Sequence, residues 1–280
     1  MKRQVQVATS TRPIAIVTGG SEGIGRAIAE RLAKPGRTIL LVARDGARLE
    51  AVASEIAAAS GGTIETLALD ITQPDALAVL DAKLAAMDGH PDLLVNSAGV
   101  GSSGAFHEAP PDELGALLAL NVVAVTRLMR HVLAGMVARG AGGVLNIASL
   151  GGYIPGPYQA AYYASKSYVI SLSEAAAAEV AGTGVRVTVV APGPVETRFH
   201  SKMHAESAIY RRLLLQSKPS TVAAWALLAH RLGLRAVAPG VVNSLMLVFM
   251  RILPHRLVVP LVGWLLEPRE RRTHNARRHG

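Results

Sequence analysis

The sequence predicts an α/β protein built on a doubly wound parallel sheet with helices on both faces. Short apolar runs rich in Val, Ile and Leu alternate with alanine-rich helical patterns over the first two thirds of the 280 residues. Regular alternation of strands and helices produces a parallel sheet that is covered on both faces. Polar residues follow several of these strands directly, and open sheets of this kind bind ligands at the carboxyl ends of their strands. The fold class therefore also predicts where a site should lie.

Six strands and five helices carry this pattern. The strands are expected at residues 14–17, 38–42, 64–69, 93–96, 143–147 and 186–190, and the helices at residues 26–33, 49–58, 75–87, 111–139 and 158–181. The residues at or just after the strand ends are Gly19, Arg44, Asp70, Asn96, Ser149 and Pro192. We expect a single domain over residues 1–266, in which residues from about 198 onwards form a substrate lid and an apolar helical extension. Residues 267–280 would follow as a basic, solvated and frayed tail.

A glycine-rich turn lies between the first predicted strand and the first predicted helix. It has the sequence Thr18-Gly19-Gly20-Ser21-Glu22-Gly23-Ile24-Gly25. Glycines let a phosphate approach the backbone closely, where N–H groups and the positive end of the helix dipole attract it. A tight turn without a ligand would use the same residues, but the strand before the loop and the helix after it favour a phosphate site.

Tyr162 and Lys166 form a second pattern. They lie four residues apart in a predicted helix and so share one face, and Ser149 precedes Tyr162 by thirteen residues. A phenol with the ordinary pKa of about 10 is a poor acid–base catalyst at neutral pH, and a neighbouring ammonium lowers that pKa by favouring the phenolate. The pair alone proves little. It becomes informative because the phosphate loop upstream supplies a cofactor for it to act beside.

These motifs together resemble those of the short-chain dehydrogenase/reductase family, whose fold is of the Rossmann type. The resemblance comprises Thr18 with the spacing Gly-x-x-x-Gly-x-Gly, Asp70-Ile71, Asn96-Ser97-Ala98-Gly99, Asn121, Ser149, Tyr162 with Lys166, and Pro192-Gly193-Pro194-Val195-Glu196-Thr197. It covers residues 13 to about 200, and so many separate motifs in the family's order are hard to obtain by chance. One position departs from the pattern, because Ser97 stands where the family usually has a second asparagine. This departure concerns a strand-tethering hydrogen bond more than the chemistry.

The resemblance implies a role for each of four residues. Tyr162 would exchange a proton with the oxygen of a carbonyl or a secondary alcohol, and Lys166 would lower the pKa of Tyr162 and hold the nicotinamide ribose. Ser149 would donate a hydrogen bond to the substrate oxygen, and Asn121 would hold a water that connects Lys166 to solvent. Taken alone, Asn121 could be a buried asparagine bonded to a helix backbone, and Ser149 could cap a turn. Tyr163 breaks the family spacing and is assigned to packing.

The same resemblance implies a nicotinamide dinucleotide cofactor. Its expected contacts are Thr18, Gly19, Ser21, Gly23, Ile24, Gly25, Arg44, Asp70, Ile71, Asn96, Ala98, Gly99, Tyr162, Lys166, Pro192, Gly193, Val195 and Thr197. An acidic residue after the second strand would bind the ribose 2′-hydroxyl of NAD, and an arginine there would pair with the 2′-phosphate of NADP. The chain has Ala43 followed by Arg44, which favours NADP over NAD. Asp45 weakens this preference, because its carboxylate could repel the phosphate or point away into solvent, and Glu22 in the loop does not support it.

Composition narrows the setting and the partners. The chain has no cysteine, which excludes disulfides, thiolate nucleophiles and cysteine-ligated zinc, and a cytoplasmic location is expected. No secretory signal is predicted at the start of the chain. The net charge is +9, but no nucleic-acid-binding motif accompanies it, so no nucleic-acid partner is expected. His200 and His204 could share a helix face, but they lack a spaced acidic third ligand, so no metal site is expected. They would lie on the segment that covers the substrate.

Two uncharged, largely apolar runs follow the last motif, at residues 241–250 and 257–266. Each has about half of the ~20 residues that a transmembrane helix needs, so neither is expected to span a bilayer. Three interpretations remain: a helical lid over the active site, which we favour, an oligomer contact, or a membrane-interfacial hairpin. In the last case Arg251, Arg256 and the cluster Arg269, Arg271 and Arg272 would lie at lipid headgroups. A hydrophobic cap suits a lipophilic substrate, such as a fatty-acyl or steroid-like carbonyl.

The leading prediction is an NADP(H)-dependent oxidoreductase that interconverts a carbonyl and a secondary alcohol. A catalytically silent nucleotide-binding module, serving as a redox-sensing partner or a membrane-associated scaffold, could share the fold. Such a module has no need of a proton donor, so the intact set of Asn121, Ser149, Tyr162 and Lys166 favours an enzyme. Dehydratase or epimerase chemistry is a lesser alternative. Because relatives commonly pair through the two long helices at 111–139 and 158–181, the resemblance also implies a homodimer or homotetramer.

Overall fold

The core of the protein is a seven-stranded, entirely parallel sheet. A computed structural model describes residues 12–197, 216–240, 243 and 253–267. The strands are β1 (Arg12–Thr18), β2 (Thr38–Ala43), β3 (Thr63–Ala68), β4 (Gly89–Asn96), β5 (Gly142–Ile147), β6 (Val185–Val190) and β7 (Ala236–Val237). They pair in the order β3-β2-β1-β4-β5-β6-β7. The strand order reverses between β1 and β4, which opens a ligand crevice at their carboxyl ends. The predicted doubly wound sheet is confirmed.

Helices cover both faces of this sheet. They are α1 (Gly23–Leu32), α2 (Gly46–Ser60), α3 (Ala76–Ala86), α4 (Pro111–Leu118), α5 (Val125–Arg139), α6 (Ala160–Glu179), α7 (Pro219–Arg231) and α8 (His255–Leu266). A π-helical turn, Ala119–Ala124, joins α4 to α5 without a break, and short 3-10 turns lie at Phe106–Glu108 and Leu150–Tyr153. The five predicted helices match observed helical segments to within a few residues at each end.

The alternation of side chains along each strand supplies a separate core on each face of the sheet. On β1, Ala15 and Val17 pack with apolar residues of α1, α2 and α7. The neighbouring Ile14 and Ile16 point to the opposite face and pack with residues of α3, α5 and α6. This period of two explains why the strands are continuous apolar runs, since a strand buried on both faces needs apolar residues at every position.

The structure differs from the sequence prediction mainly at element boundaries. The helix expected from residue 158 begins at Ala160, because the backbone of Tyr158 has a left-handed φ of +64° that a helix cannot contain. Strand β7 was not predicted, since its two residues are too few to show a pattern. Residue 243 apart, the apolar run at 241–250 lies outside the described residues, as do residues 268–280. The division into one domain and a tail stays a prediction.

One helical run, Pro111–Arg139, is long and apolar enough to cross a membrane by length and composition alone. Its second half, α5, places Leu128, Met129, Val132 and Met136 in the core beneath β4 and β5. A helix that covers a central sheet meets the same criteria as a membrane span. The run therefore carries no argument for a membrane crossing.

Candidate active site

The glycine loop turns from β1 into α1 with its backbone uncovered. Gly19 has a φ of +67°, and its N–H donates to the carbonyl oxygen of Val42 at 2.9 Å. A Cβ at Gly25 would collide with the Gly19 carbonyl, and a Cβ at Gly19 would lie 2.9 Å from the nitrogen of Ala98. Alanine fits at neither position without a shift of backbone atoms. The loop is therefore shaped for close approach of a phosphate to its backbone.

Thr18 ties this loop to the end of β4. Its Oγ1 accepts hydrogen bonds from the backbone N–H groups of Ser97 at 3.1 Å and Ala98 at 3.2 Å, and it donates to the carbonyl oxygen of Val95 at 3.3 Å. The side chain of Ser97 takes no part in these three bonds. The departure from the family pattern at position 97 therefore leaves this strand tether intact.

Asn96 lies at the last position of β4 and connects the strand ends to α6. Its Nδ2 donates to Asn146 Oδ1 at 2.8 Å, and Asn146 Nδ2 donates to Ser173 Oγ on α6 at 2.8 Å. All three side chains are buried. Within the described residues, Asn96 Oδ1 has no hydrogen-bond partner. Since a buried acceptor without a partner is costly, Asn96 is a position where a bound donor would be stabilising.

Two arginines bring positive charge to the crevice beside the loop. Arg44 is exposed directly after β2, and Arg48 on the first turn of α2 forms an ion pair of 2.9 Å with Glu22 of the glycine loop. Asp45 caps α2, because its Oδ1 accepts the N–H of Arg48 at 3.1 Å. Its carboxylate is therefore committed to the helix end, which corresponds to neither orientation considered from the sequence. The Arg48–Glu22 pair was not predicted.

Asp70 follows β3 and is held by the next turn. Its Oδ1 accepts hydrogen bonds from the N–H of Thr72 at 3.0 Å and from Thr72 Oγ1 at 2.7 Å. These bonds, the backbone one first, hold the pKa of Asp70 below its usual range, and the charge of Arg44 adds to the effect. Ile71 is buried in the core, so only its backbone can meet a ligand. In the same way, Ile24 packs against the core at the first turn of α1.

The segment from Pro192 to Thr197 runs from the substrate side of the crevice to the glycine loop. The carbonyl oxygen of Pro192 accepts the N–H of Leu150 at 3.0 Å, and a Cβ at Gly23 would lie 3.2 Å from Thr197 Cγ2. Val195 is buried and pairs with Ser217, and a Cβ at Gly193 would meet Asn243. A cleft of about 530 Å³ opens here, and Ser21, Gly23, Arg26, Arg48, Thr197 and Lys218 are among its lining residues.

Tyr162 and Lys166 meet at the carboxyl end of β5. Lys166 Nζ donates to the carbonyl oxygen of Ile147, the last residue of β5, at 3.1 Å, and it lies 5.8 Å from the centre of the Tyr162 ring. Both side chains are buried, with 8% and 7% of their surfaces exposed for Tyr162 and Lys166. Burial lowers the pKa of Lys166 to about 8, so the ammonium is still charged at neutral pH. The structure thus places a positive charge beside the phenol.

Asn121 lies in the π-helical turn and faces the same place. Its Oδ1 accepts the N–H of Val100 at 3.0 Å, and its Nδ2 donates to the Val100 carbonyl at 2.7 Å and to Ser165 Oγ at 3.1 Å. A Cβ at Gly99 would lie 3.2 Å from Asn121 Oδ1 and 3.4 Å from Lys166 Nζ. Asn121 therefore anchors the loop after β4 to α6, with the bare backbone of Gly99 between it and Lys166. Its role in a water relay stays a prediction.

Ser149 begins the 3-10 turn that follows β5. Its Oγ accepts the N–H of Gly151 at 3.1 Å, so it does cap a turn, and the side chain is partly exposed. In that bond the hydroxyl acts as an acceptor, and its own hydrogen is not used. A serine held in this way can still donate to an oxygen in the crevice. The turn cap and the predicted substrate contact are therefore compatible.

Tyr163 lies outside this group and supports the loop behind Ser149. Its ring occupies the space above Gly151 and Gly156, where a Cβ would lie less than 3.0 Å from the ring. It also contacts the buried face of α8, formed by Val258, Val262 and Leu266, to which Ile154 contributes. Helix α8 thus packs on the loop that carries Ser149. Sequence reasoning identified the apolar run but not this contact, which only the tertiary structure specifies.

Other predicted ligands give no second site. His200 and His204 lie outside the described residues. Over residues 12–197, 216–240, 243 and 253–267, no group of three or more His, Asp or Glu side chains is placed to hold a metal ion.

The sequence model of the short chain dehydrogenase family matches residues 13–208 of the chain. The chain belongs to this family. It is 35% identical over 209 residues to an uncharacterized oxidoreductase of Staphylococcus saprophyticus, which covers 70% of this chain and 89% of the relative. It is also 35% identical over 184 residues to the 3-oxoacyl-[acyl-carrier-protein] reductase of Escherichia coli, which covers 66% of this chain and 74% of the relative.

Solved structures agree with this assignment. A short-chain dehydrogenase from Sphingobium yanoikuyae in complex with NADPH has a TM-score of 0.75 to this chain and 29% sequence identity, over 86% of this chain and 96% of that one. The predicted family, the fold and the enzyme class, an NAD(P)-dependent oxidoreductase, are therefore confirmed.

Proposed function

We propose that this protein is an NADP(H)-dependent oxidoreductase that interconverts a carbonyl and a secondary alcohol on a lipophilic substrate, with Tyr162 as the general acid and base. The observation that carries the proposal is the position of Lys166. Its charged ammonium lies 5.8 Å from the centre of the Tyr162 ring, at the carboxyl end of β5, next to the crevice that the glycine loop opens. A site of this kind can supply a proton where a ligand binds.

The Tyr162–Lys166 pair would exchange the proton. In the reduction direction Tyr162 Oη donates its proton to the carbonyl oxygen, and in the oxidation direction it accepts one from the alcohol. The ammonium of Lys166 stabilises the phenolate that remains after donation, and burial strengthens this effect because little water screens the two groups. The hydrogen bond from Lys166 to Ile147 fixes the direction of the lysine side chain.

Ser149 and Asn121 would position the reaction. The hydroxyl hydrogen of Ser149 is directed to the substrate oxygen and stabilises the negative charge that develops there. Asn121 holds the loop after β4 through both backbone groups of Val100 and contacts α6 through Ser165. It therefore keeps Gly99 and Lys166 in register, and a water bound near its Oδ1 would return a proton to Lys166.

The residues of the crevice fit a nicotinamide dinucleotide. The Gly19–Gly25 contact leaves no room for a side chain, which favours a pyrophosphate against the loop, with Ser21, Gly23 and Thr197 around it. Asn96, Ala98 and Gly99 follow β4, and Lys166 lies beside Gly99. When bound, the nicotinamide supplies the hydride that is added to, or removed from, the substrate carbon.

The charge around the ribose end favours NADP. Arg44 is exposed after β2, and Arg48 lies one helical turn further on, where both can approach a 2′-phosphate. Asp45 is engaged as the cap of α2, which weakens its ability to repel that phosphate. The relative from Sphingobium yanoikuyae, which is in complex with NADPH, adds support. A preference for NADH of about tenfold or more in kcat/KM would contradict this part of the proposal.

An apolar wall next to Ser149 favours a lipophilic substrate. Val258, Val262 and Leu266 of α8 pack on Ile154 and Tyr163, directly behind the loop that carries Ser149. Pockets lined by such surfaces bind apolar groups more tightly than polar ones. The 3-oxoacyl-[acyl-carrier-protein] reductase relative, named for an acyl substrate, is consistent with this class.

The test is the rate of NADPH oxidation, followed by absorbance, over a panel of carbonyls. The most informative pair is a short-chain and a long-chain 3-oxoacyl thioester, because the reacting carbonyl is the same in both. The proposal predicts a kcat/KM at least about tenfold higher for the long chain. Faster turnover of small polar ketones would contradict the lipophilic substrate class. Absence of turnover over the whole panel would favour the silent nucleotide-binding module.

A homo-oligomer is part of the proposal. Leu118 and Val123 on the helical run at 111–139, and Tyr168 on α6, are exposed, and the hydroxyls of Thr126 and Tyr168 lie 3.0 Å apart between the two helices. The two long helices therefore present one continuous surface with exposed apolar groups, which suits a subunit contact. Light scattering that gives the mass of a monomer would contradict it.

A further inference from the structure

Helix α8 has a second apolar face that points away from the protein. Leu257, Leu261 and Trp264 are exposed over 57%, 50% and 53% of their surfaces. They are spaced four and three residues apart, and Pro260 is exposed with them, so they form one stripe along the helix. Exposure of three large apolar side chains in one stripe is unusual for a surface helix and marks a contact surface. We call these residues the outer face of α8.

Positive charge flanks the outer face at both ends. Arg256 and His255 are exposed at the first turn of α8. The sequence that follows the helix contains Arg269, Arg271 and Arg272. An apolar stripe with a tryptophan at one end and arginines beyond both ends has the composition of helices that lie in the headgroup region of an anionic bilayer.

From these observations we propose that the outer face of α8 binds the surface of an anionic lipid bilayer. Leu257, Leu261 and Trp264 would enter the boundary between headgroups and acyl chains, and the flanking arginines would contact anionic headgroups. The buried face of α8 packs on the loop that carries Ser149, so the bilayer would lie next to the substrate side of the site. This proposal does not depend on the proposed function, because its test requires no turnover.

A second copy of the chain is the other candidate occupant, and charge disfavours it. If two α8 helices packed in parallel, Arg256 would face its counterpart. If they packed antiparallel, Arg256 would approach the arginines that follow the partner helix. Like charges meet in both arrangements, which costs binding free energy at an interface. An anionic surface has no such conflict.

The first experiment measures sedimentation of the full-length protein with vesicles of phosphatidylcholine, with and without phosphatidylglycerol. The proposal predicts binding that requires phosphatidylglycerol and decreases as salt is raised, because the arginine contacts are screened. Equal sedimentation with both vesicle types, or none with either, overturns it.

The second experiment compares two triple variants of matched composition. Leu257→Ser/Leu261→Ser/Trp264→Ser changes the outer face of α8. Trp225→Ser/Leu228→Ser/Leu232→Ser changes exposed side chains of the same types on and just after α7. The first variant should lose at least about tenfold in vesicle affinity and the second should change less than about twofold, since binding scales with the apolar area inserted. Equal effects would overturn the proposal, as would a drop in oligomer mass for the α8 variant alone, which assigns the face to a second copy.

A tryptophan reporter keeps the test valid if the triple variant does not fold. The chain has two tryptophans, Trp225 and Trp264, so Trp225→Phe leaves Trp264 as the only one. Its emission should shift to the blue when anionic vesicles are added and should not shift with phosphatidylcholine alone, because the indole enters the headgroup boundary. The converse variant, Trp264→Phe, should show no shift. An unchanged emission of Trp264 overturns the proposal.

Discussion

Two nitrogen bases lie against strand β5, one near each end, and burial lowers the pKa of both. Lys166 donates to Ile147, the last residue of the strand, and its pKa falls to about 8. The His230 ring, on α7, covers Gly143 near the start of the strand, and its Nδ1 lies 3.1 Å from Thr188 Oγ1. Burial, helped by the charge of Arg186, lowers the pKa of His230 to about 4.

The same physical effect has opposite consequences at the two ends. At neutral pH Lys166 keeps its charge, and it lies at the carboxyl edge of the sheet beside Tyr162, Asn121 and Gly99. His230 is neutral there and lies at the amino edge, where open parallel sheets do not bind ligands. A perturbed pKa therefore indicates a site only when the charge that remains faces a place where ligands bind.

The strongest test of this contrast substitutes both bases. Lys166→Met removes the charge beside Tyr162 and should lower kcat by at least about a hundredfold, because general acid catalysis of this kind contributes about 10²- to 10⁴-fold. His230→Gln keeps a polar group next to Thr188 and should leave kcat within about fivefold of wild type. Steady-state NADPH oxidation at saturating substrate measures both. Similar losses in the two variants would end the distinction between the ends of β5.

His230 should instead affect stability in acid. Its folded pKa of about 4 lies below the ordinary value of 6.5. The unfolded chain therefore takes up a proton first, and stability that is fully present above pH 6.5 is lost as the pH falls towards 4. Wild type should lose about 2–3 kcal/mol from this group over that window, and His230→Gln should not. Urea unfolding of both proteins gives the difference, and a difference that does not change with pH would refute the burial of His230.

Gly25→Ala tests whether the cofactor side depends on bare backbone. A Cβ at Gly25 meets the Gly19 carbonyl, so the loop must move and NADPH affinity should fall at least about tenfold. Gly115→Ala is the control, because Gly115 lies exposed in α4 with no atom near its Cβ position. This change should stabilise the protein by about 0.5–1 kcal/mol and leave NADPH affinity unaltered. Fluorescence titration with NADPH and thermal unfolding report the two quantities.

Arg44 and Asp45 are neighbours with separate predicted effects. Arg44→Ala should reduce the ratio of kcat/KM for NADPH over NADH by about tenfold, because one phosphate contact is lost. Asp45→Ala should leave that ratio nearly constant and cost about 1 kcal/mol of stability, since the cap of α2 is removed. If Asp45→Ala improves NADPH use severalfold, its carboxylate faces the phosphate and does not serve only as a cap.

The motif-bearing part of the chain was predictable because its motifs report backbone geometry. The spacing of Tyr162 and Lys166 defines a helix face, and the glycines from Gly19 to Gly25 define a turn that side chains cannot enter. The strands of the central sheet were predictable as well, since burial on both faces requires uninterrupted apolar runs. These features depend on residues close together in sequence.

Contacts between distant segments could not be predicted in this way. The bonds from Asn121 to Val100 and Ser165, the Arg48–Glu22 pair and the packing of α8 on Tyr163 depend on how whole elements meet. The π-helical turn around Asn121 has the same local sequence pattern as the α-helix on either side. The composition of residues 257–266 indicated an apolar helix, but it did not indicate which face the protein covers.

The central claim is that Tyr162 transfers the proton between the protein and the substrate oxygen. Its most direct test is kcat of Tyr162→Phe with saturating NADPH and substrate, beside NADPH affinity measured separately by titration. The phenylalanine ring keeps the packing against Leu117 and removes only the hydroxyl. We predict a loss of about 10²- to 10⁴-fold in kcat with NADPH affinity unchanged. Retention of more than about a tenth of wild-type kcat, with NADPH still bound, would contradict the claim.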